Sequence, residues 1–428
     1  MSRWTQKSCL ALDCVLRLIL SLRRDAMQQL LFLCLVIFIS VTTLTQEARP
    51  GFKEQIVDPN VGVGYAVTVA DINQDGKTDI VVVTENPDQV VWYENPSWTR
   101  RVIVEASPIL PVCIQPLDVD GDGKVELIMG ADWRPSNTKT GGTVWLLQRP
   151  SDLNQPWTPI KIDEEPTMHR MRLIDADGKG RKELLCAPLH GREATGPEWW
   201  KGNGASLYIL RRPANPFKEP WKRELISNEL HITHNVWPLD WDKDGKEEIL
   251  AASYEGVFLF KKAPNGTWGK QQLGGGDPET HGAGEVKVGR LPDGKRYIAT
   301  VEPWHGHQAV VYTPPDQSGQ LWKRQVLIEN HKGGHAVWAA DLTGTGIDSL
   351  IVGFRGVPEG KVEDAIVYLF HPLDGAGERW EKHVLDAKGL GSEDVICTDL
   401  NADGKIDIIG VGRSTKNVKI YWNEGKWK

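Results

Sequence analysis

Short apolar runs, some alternating and some continuous, are separated along the whole chain by clusters of Asp, Gly, Asn and Pro. That pattern predicts many short β-strands joined by turns. One unit of it repeats. DINQDGKTDIVVV from Asp71, DVDGDGKVELIMG from Asp118, DWDKDGKEEILAA from Asp240 and DLNADGKIDIIGV from Asp399 align without gaps. Weaker copies start at Asp175, Gly289 and Asp341, and successive starts lie 47 to 65 residues apart. Between them recurs an aromatic residue followed by an alternating strand, at Trp98, Trp157, Trp221, Trp268, Trp322 and Trp380, and, ahead of the first Asp loop, at Phe52.

Each repeat reads as four strands: an inner strand running into the Asp loop, a β-rich strand leaving it, a third strand such as VVWYENP at Val90, and the aromatic strand. Units of this size and period are propeller blades. The copy at Phe52 is out of phase, which predicts closure: the N-terminal strand completes the seventh blade, whose own chain ends at Trp427 and Lys428. Closure removes the open edge a linear sheet would expose. The expected fold is all-β, a seven-bladed propeller with four-stranded blades over residues 51–428.

Composition changes one part of this picture. A length of 428 residues would suggest about three domains on the usual prior, but 43 Gly and 26 Pro belong to a turn-rich all-β chain. The hydrophobic fraction of 40% and charged fraction of 25% exclude disorder and a multi-span membrane protein. Residues 1–50 read as a leader: Arg23 and Arg24 precede the apolar run Leu30–Val41, which is too short to span a bilayer and suits an export signal. Export to the periplasm or exterior is expected, with no other membrane contact. The leader carries a net +3, so the remainder stands at −10 against −7 for the whole chain. So acidic a chain gives nucleic acid no electrostatic footing. Cys113, Cys186 and Cys397 sit in apolar contexts and make no disulfide framework.

The Asp loops space oxygen ligands at positions 1, 3, 5 and 9, with glycine allowing the turn. Oxygen sets without imidazole or thiolate select calcium, or less well magnesium. The full sets are Asp71, Asn73, Asp75 and Asp79; Asp118, Asp120, Asp122 and Glu126; Asp240, Asp242, Asp244 and Glu248; and Asp399, Asn401, Asp403 and Asp407. The copies at Asp175, Gly289 and Asp341 are degraded. A structural role is expected for any bound ion. These repeats resemble the FG-GAP/VCBS family of calcium-binding propellers, a resemblance that implies the fold and leaves function open.

All 11 histidines follow residue 168. Counting back six positions from the first Asp of the loop gives His169, His234 and His335, with Glu393 equivalent in the seventh repeat. In a propeller this register lies at one mouth of the central channel. His231, His281 and His331 stand on connections entering that mouth. The turns returning to it carry Asp132-Trp133-Arg134, His190-Gly191-Arg192, Tyr254-Glu255, Glu302, Trp304-His305-Gly306-His307, Arg355 and Arg413. His371 and His383 fall on outer strands and are expected at the surface. Converging polar groups in a concave mouth mark the candidate site. Neutral imidazoles there could hold zinc or another divalent ion, with His231, His234, His281 and His335 as candidate ligands. Without metal, an imidazole could act as general base and an Arg could stabilise an enolate. Trp133, Trp199, Trp200 and Trp304 offer faces for sugar rings. Serine-nucleophile, phosphate-loop and dinucleotide motifs are absent, which argues against esterase, kinase and nicotinamide chemistry.

The run His231-Ile-Thr-His234-Asn235 with Trp237, the Asp240 loop and Trp304-His305-Gly306-His307 resembles the propeller domain of the aldos-2-ulose dehydratase family. The resemblance implies elimination of water from keto-sugars with divalent metals present. It assigns His169, His234 and His335 to metal or base roles, and Arg192 and Glu302 to substrate. His190, His305 and His307 complete the candidate catalytic set. The fungal form continues into cupin domains where this sequence ends, so groups those domains supply are expected to be missing. Two readings follow: an exported sugar lyase, or a non-catalytic calcium propeller that binds glycans or a protein. The lyase requires His234, His335 and a third imidazole around one cavity.

Overall fold

Among the described residues, 28 strands form seven separate antiparallel sheets of four. The computed structural model describes residues 51–105, 110–356 and 361–425. The leader with its Leu30–Val41 run, and Trp427 and Lys428, lie outside the described residues. A single 3-10 turn, Val362–Asp364, is the one helical element described. No helix among the described residues is long and apolar enough to cross a membrane.

Blade one is built from Val63–Ala70, Asp79–Glu85, Gln89–Glu94 and Thr99–Glu105, in that order from the centre outwards. Blades two to six repeat the order, beginning at Cys113, Met168, Asn235, Val286 and Gly334. Blade seven takes Ser392–Thr398, Asp407–Gly412 and Val418–Asn423 from the C-terminal end and Phe52–Asp58 from the N-terminal end. Each inner strand packs on the inner strands of both neighbouring blades, and that of blade seven on that of blade one, so the ring is closed. The blades are the predicted units, and the N-terminal strand is the predicted closure.

The sequence pattern follows burial. The second strands are covered on both faces and read as continuous apolar runs, such as Asp79–Glu85 with six of seven residues buried. Outer strands such as Phe52–Asp58 bury no residue fully and mix polar with apolar positions. The Asp loops act as braces. The first aspartate accepts the N–H of the glycine five residues on, at 3.0 Å in Asp71–Gly76 and 2.8 Å in Asp399–Gly404. The same bond persists in the degraded loops, at 2.6 Å in both Asp175–Gly180 and Asp341–Gly346. The ninth-position carboxylate is buried and accepts the N–H of the second loop residue, as in Ile72–Asp79 at 3.0 Å. Side chains then lock each loop to the next blade: Arg149 reaches Ile72 O at 2.9 Å, and Asn95 reaches Leu400 O at 2.9 Å.

Two expectations need correction. His383 is buried at 7% exposure and lies 3.3 Å from Glu381, and His371 is half-buried against Ser349 Oγ at 2.9 Å, so neither is a plain surface residue. Cys113, Cys186 and Cys397 are free thiols, as expected.

Candidate functional site

The residue six positions before each Asp loop owes its direction to the backbone. In blades one, three, six and seven the inner strand carries a β-bulge there, leaving Tyr65, His169, His335 and Glu393 without a partner on the neighbouring strand. A bulge turns a side chain that would otherwise follow the pleat. His234 lies just ahead of its strand, with its N–H on Ala252 O at 3.0 Å.

These side chains meet. His234, His305 and His335 bring one ring nitrogen each within 4.8 Å of one another. His234 Nε2 and His305 Nε2 are 2.6 Å apart, and the His305 and His335 rings are 4.9 Å apart. The His169 ring lies between Trp133 and His234, tilted to both, with both centroids at 4.7 Å. The supporting contacts select tautomers. His335 Nδ1 donates to Glu393 O at 2.5 Å and His169 Nδ1 to His234 O at 3.1 Å, which leaves each Nε2 as an acceptor. His234 Nδ1 lies 3.2 Å from Glu285 Oε1, outside hydrogen-bond geometry. His305 Nδ1 faces Arg355 Nη2 at 3.2 Å, and Arg355 also donates twice to Glu393 at 3.1 and 3.2 Å.

Burial keeps these rings neutral. It holds His169, His305 and His335 well below the usual 6.5, with Arg170, His234 and Arg355 respectively adding to the effect. His234 is lowered by burial, with Glu285 opposing. Beneath the rings lies a charged layer: Arg170 pairs with Glu285 at 3.3 Å, Asn235 donates to Glu285, and Arg172 reaches Asn235 at 3.2 Å. Lys287 stands between Trp237 and Trp338, and burial with Arg172 nearby brings its ammonium down to about 7.

His305 also lines a cavity of about 440 Å³ with Trp199, Trp200, Tyr254, His281 and Trp304. His190 backs this wall, stacked on Trp199 at 4.4 Å, and burial lowers it to about 4.

The remaining candidates lie elsewhere. His231 Nδ1 pairs with Glu255 at 2.6 Å, outside the imidazole trio, and His281 lines the cavity without joining the trio. His307 is half-buried outside the trio, and His331 Nε2 contacts Asp364 O at 2.8 Å. Arg192 is half exposed and pairs with Glu165 at 3.1 Å. Glu302 is fully buried, accepting from Thr300, Tyr312 and Arg324 at 2.8, 2.6 and 2.8 Å, and burial raises its carboxyl. Glu285 and Arg170 escaped the sequence reading. Blade five has a shorter loop without the leading Asp, so counting back from Gly289 missed Glu285. The polar residues Arg170, Asn235 and Asp394, five before their loops, were the available signal.

In the Asp loops, carboxylates converge within 4.8 Å as Asp118, Asp120 and Asp122, and as Asp240, Asp242 and Glu248. In the latter set Lys261 Nζ pairs with Asp242 and lies 3.8 and 3.6 Å from Asp244 and Glu248, so an ammonium already sits among the ligands.

Residues 141–315 match the family model of the aldos-2-ulose dehydratase beta-propeller domain, and residues 71–129 that of the FG-GAP-like repeat. The chain is 26% identical over 397 residues to aldos-2-ulose dehydratase of Phanerodontia chrysosporium, an alignment covering 86% of this chain and 42% of that protein. It therefore spans about two fifths of the length of that curated relative. Among solved structures, BBS1N in complex with ARL6DN, soaked with lead, matches with a TM-score of 0.54 at 12% identity, covering 89% of this chain and 99% of that one. The same complex soaked with mercury gives 0.51 at 11% identity, with the same coverage. These two likenesses show the fold alone. The chain is a seven-bladed propeller, similar over residues 71–129 to the FG-GAP-like repeat and over residues 141–315 to the propeller domain of aldos-2-ulose dehydratase.

Proposed function

We propose that this propeller is a carbohydrate-active lyase that eliminates water, or another β-substituent, from a keto-sugar at the imidazole-lined mouth. The observation that carries the reading is the double position of His305, which belongs to the imidazole trio and to the wall of the aromatic cavity. The relationship to a dehydratase propeller supports the same chemistry.

The trio suits a zinc-like divalent ion. His335 and His234 have their Nδ1 sides toward a carbonyl and a carboxylate, the outer partners that a ligating imidazole uses. His305 completes the set when Arg355 gives up His305 Nδ1 and keeps Glu393. Such an ion would act as a Lewis acid on a sugar carbonyl. The chain's own groups do the rest. Trp304, stacked on His305, takes the flat face of the sugar. His281, on the same wall but outside the trio, accepts the proton α to the carbonyl and returns it to the departing β-hydroxyl, so that the C–H and C–O bonds break as the C=C bond and water form. The apolar wall limits water around the developing enolate. Calcium in the Asp loops stiffens the hairpins and takes no part. The leader supports placing this chemistry outside the cytoplasm.

Two measurements test the reading together: metal analysis of the purified protein, and ultraviolet detection of enone formed from keto-sugars such as anhydrofructose. His335→Gln is expected to lower bound transition metal at least about tenfold and to abolish enone formation. His281→Gln is expected to keep the metal and lose the enone. A protein with no transition metal and no enone from any keto-sugar is instead the non-catalytic binding propeller.

A further inference from the structure

The aromatic cavity lies beside the imidazole trio and does not enclose it, since only His305 belongs to both. At about 440 Å³ it falls within the roughly 300–1,000 Å³ range of pockets that bury a whole small ligand. No lining side chain is an Asp, Glu, Lys or Arg. Its aromatic faces are held in place from behind or alongside. Trp200 and Tyr254 stack at 5.1 Å and 7°, Trp304 stacks on His305 at 5.0 Å and 14°, and Trp199 stacks on His190 at 4.4 Å and 21°. Trp200 remains 37% exposed, unusual for a side chain of its size. Three wall residues, Ile232, His281 and Trp304, have left-handed backbones, at φ 50°, 62° and 41°. Strain of this kind persists where the surrounding fold enforces it, and it clusters at ligand sites.

A reacting sugar with its carbonyl at the trio and one face on Trp304 would leave the Trp199, Trp200 and Tyr254 side of this volume unfilled. Flat, uncharged, fixed aromatic surfaces bind rings by stacking, at low cost in side-chain entropy. We infer that the Trp199, Trp200 and Tyr254 side of the cavity is a subsite for a second ring, joined through a glycosidic oxygen to the sugar at the trio. The substrate class is then a glycoside or disaccharide, and Trp200 and Tyr254 set the preference for the second ring. The inference rests on the lyase reading for the position of the first ring.

Tryptophan fluorescence titration of the full chain tests it, with methyl β-glucoside, phenyl β-glucoside and cellobiose as probes. Phenyl glucoside and cellobiose are expected to bind about tenfold more tightly than methyl glucoside, equivalent to about 1.4 kcal/mol for the second ring. Trp200→Ala should narrow the gap to less than about threefold, while Trp200→Phe keeps it. An unchanged thermal midpoint would show that the variants are folded. Equal affinity for the three probes, or binding of none of them, overturns the subsite. Enone formation from a free keto-sugar alongside equal affinities overturns the subsite and spares the lyase. Tight aryl-glucoside binding without enone from any keto-sugar does the reverse.

Discussion

A single extra residue in the inner strand decides which side chains reach the mouth. The bulges at Tyr65, His169, His335 and Glu393 turn those residues out of the pleat, so the strand offers the channel residues both six and five before the loop. Left-handed backbone recurs with the same regularity. The fourth position of the Asp loop has positive φ in Gln74, Lys243 and Ala402, where blades two, three and six have Gly121, Gly178 and Gly344. Ala402 is exposed with φ 59°, and its Cβ contributes no buried packing. Left-handed backbone costs a non-glycine residue about 1–2 kcal/mol, and glycine returns part of that in unfolded-state entropy. Ala402→Gly should therefore raise stability by about 0.5–1 kcal/mol, read as a higher denaturation midpoint at unchanged slope. The histidine register was legible in the sequence because the count back from a leading Asp is constant. Glu285 was not, because blade five lacks that Asp. The roles of Arg192 and Glu302 were carried by resemblance. Only coordinates could show one paired with Glu165 and the other enclosed by Tyr312 and Arg324.

At the scale of the loop and its blade, stiffness and cation binding separate. The aspartate-to-glycine bond survives at Asp175 and Asp341, where the ligand sets are degraded, so the motif reports a turn first and an ion second. That explains why the fold was readable from the repeats while occupancy was not. The ninth-position carboxylates carry a titration signature. Burial, with acidic neighbours adding, raises Asp79 from 3.8 to about 6 and Glu126 from 4.5 to about 7. Without an ion these groups hold protons in the folded chain that the unfolded chain has released. Their contribution to stability is present below about pH 4 and is lost as pH rises through 6 to 7. A calcium ion would neutralise the ionised cluster and remove that loss. The gain in thermal midpoint from calcium over chelator should therefore grow between about pH 5 and pH 8, by on the order of 1 kcal/mol per responding loop. Taking the difference at each pH cancels the neutral histidines, whose protonation on acidification destabilises the fold with or without calcium. A calcium increment that stays flat across this range would mean the carboxylates are not its ligands.

The whole molecule depends on one long-range pairing. Phe52–Asp58 is the outer strand of blade seven, and Glu424 N donates to Gly51 O at 2.7 Å, so the two ends of the propeller meet. Side chains fasten the strand: Lys419 Nζ lies 2.7 Å from Glu54 and 2.9 Å from Asp386, and Trp422 Nε1 donates to Gln55 at 2.8 Å. Blade seven is clamped in turn to both neighbours. Asn423 reaches Leu342 O at 2.8 Å in blade six, and Asn95 of blade one reaches Leu400 O at 2.9 Å. No blade is large enough to bury a core alone, and each shares its faces with the next, so stability is a property of the closed ring. Removing residues up to Asp58 leaves the Val418–Asn423 strand as an unpaired edge and strips the cover from Lys419 and Tyr421. Such a chain should lose its cooperative thermal transition or aggregate through that edge. The loss comes from pairing and not from chain order, and a circular permutant separates the two. Joining Gly425 to Gly51 through a few glycines and opening the exposed turn at Asp316–Gly319 keeps every strand pairing and moves the chain break from blade seven to blade five. That permutant should melt cooperatively within about 5 °C of an unpermuted chain of residues 51–425. If it unfolds like the truncated chain, an intact fifth blade matters more than closure at the seventh.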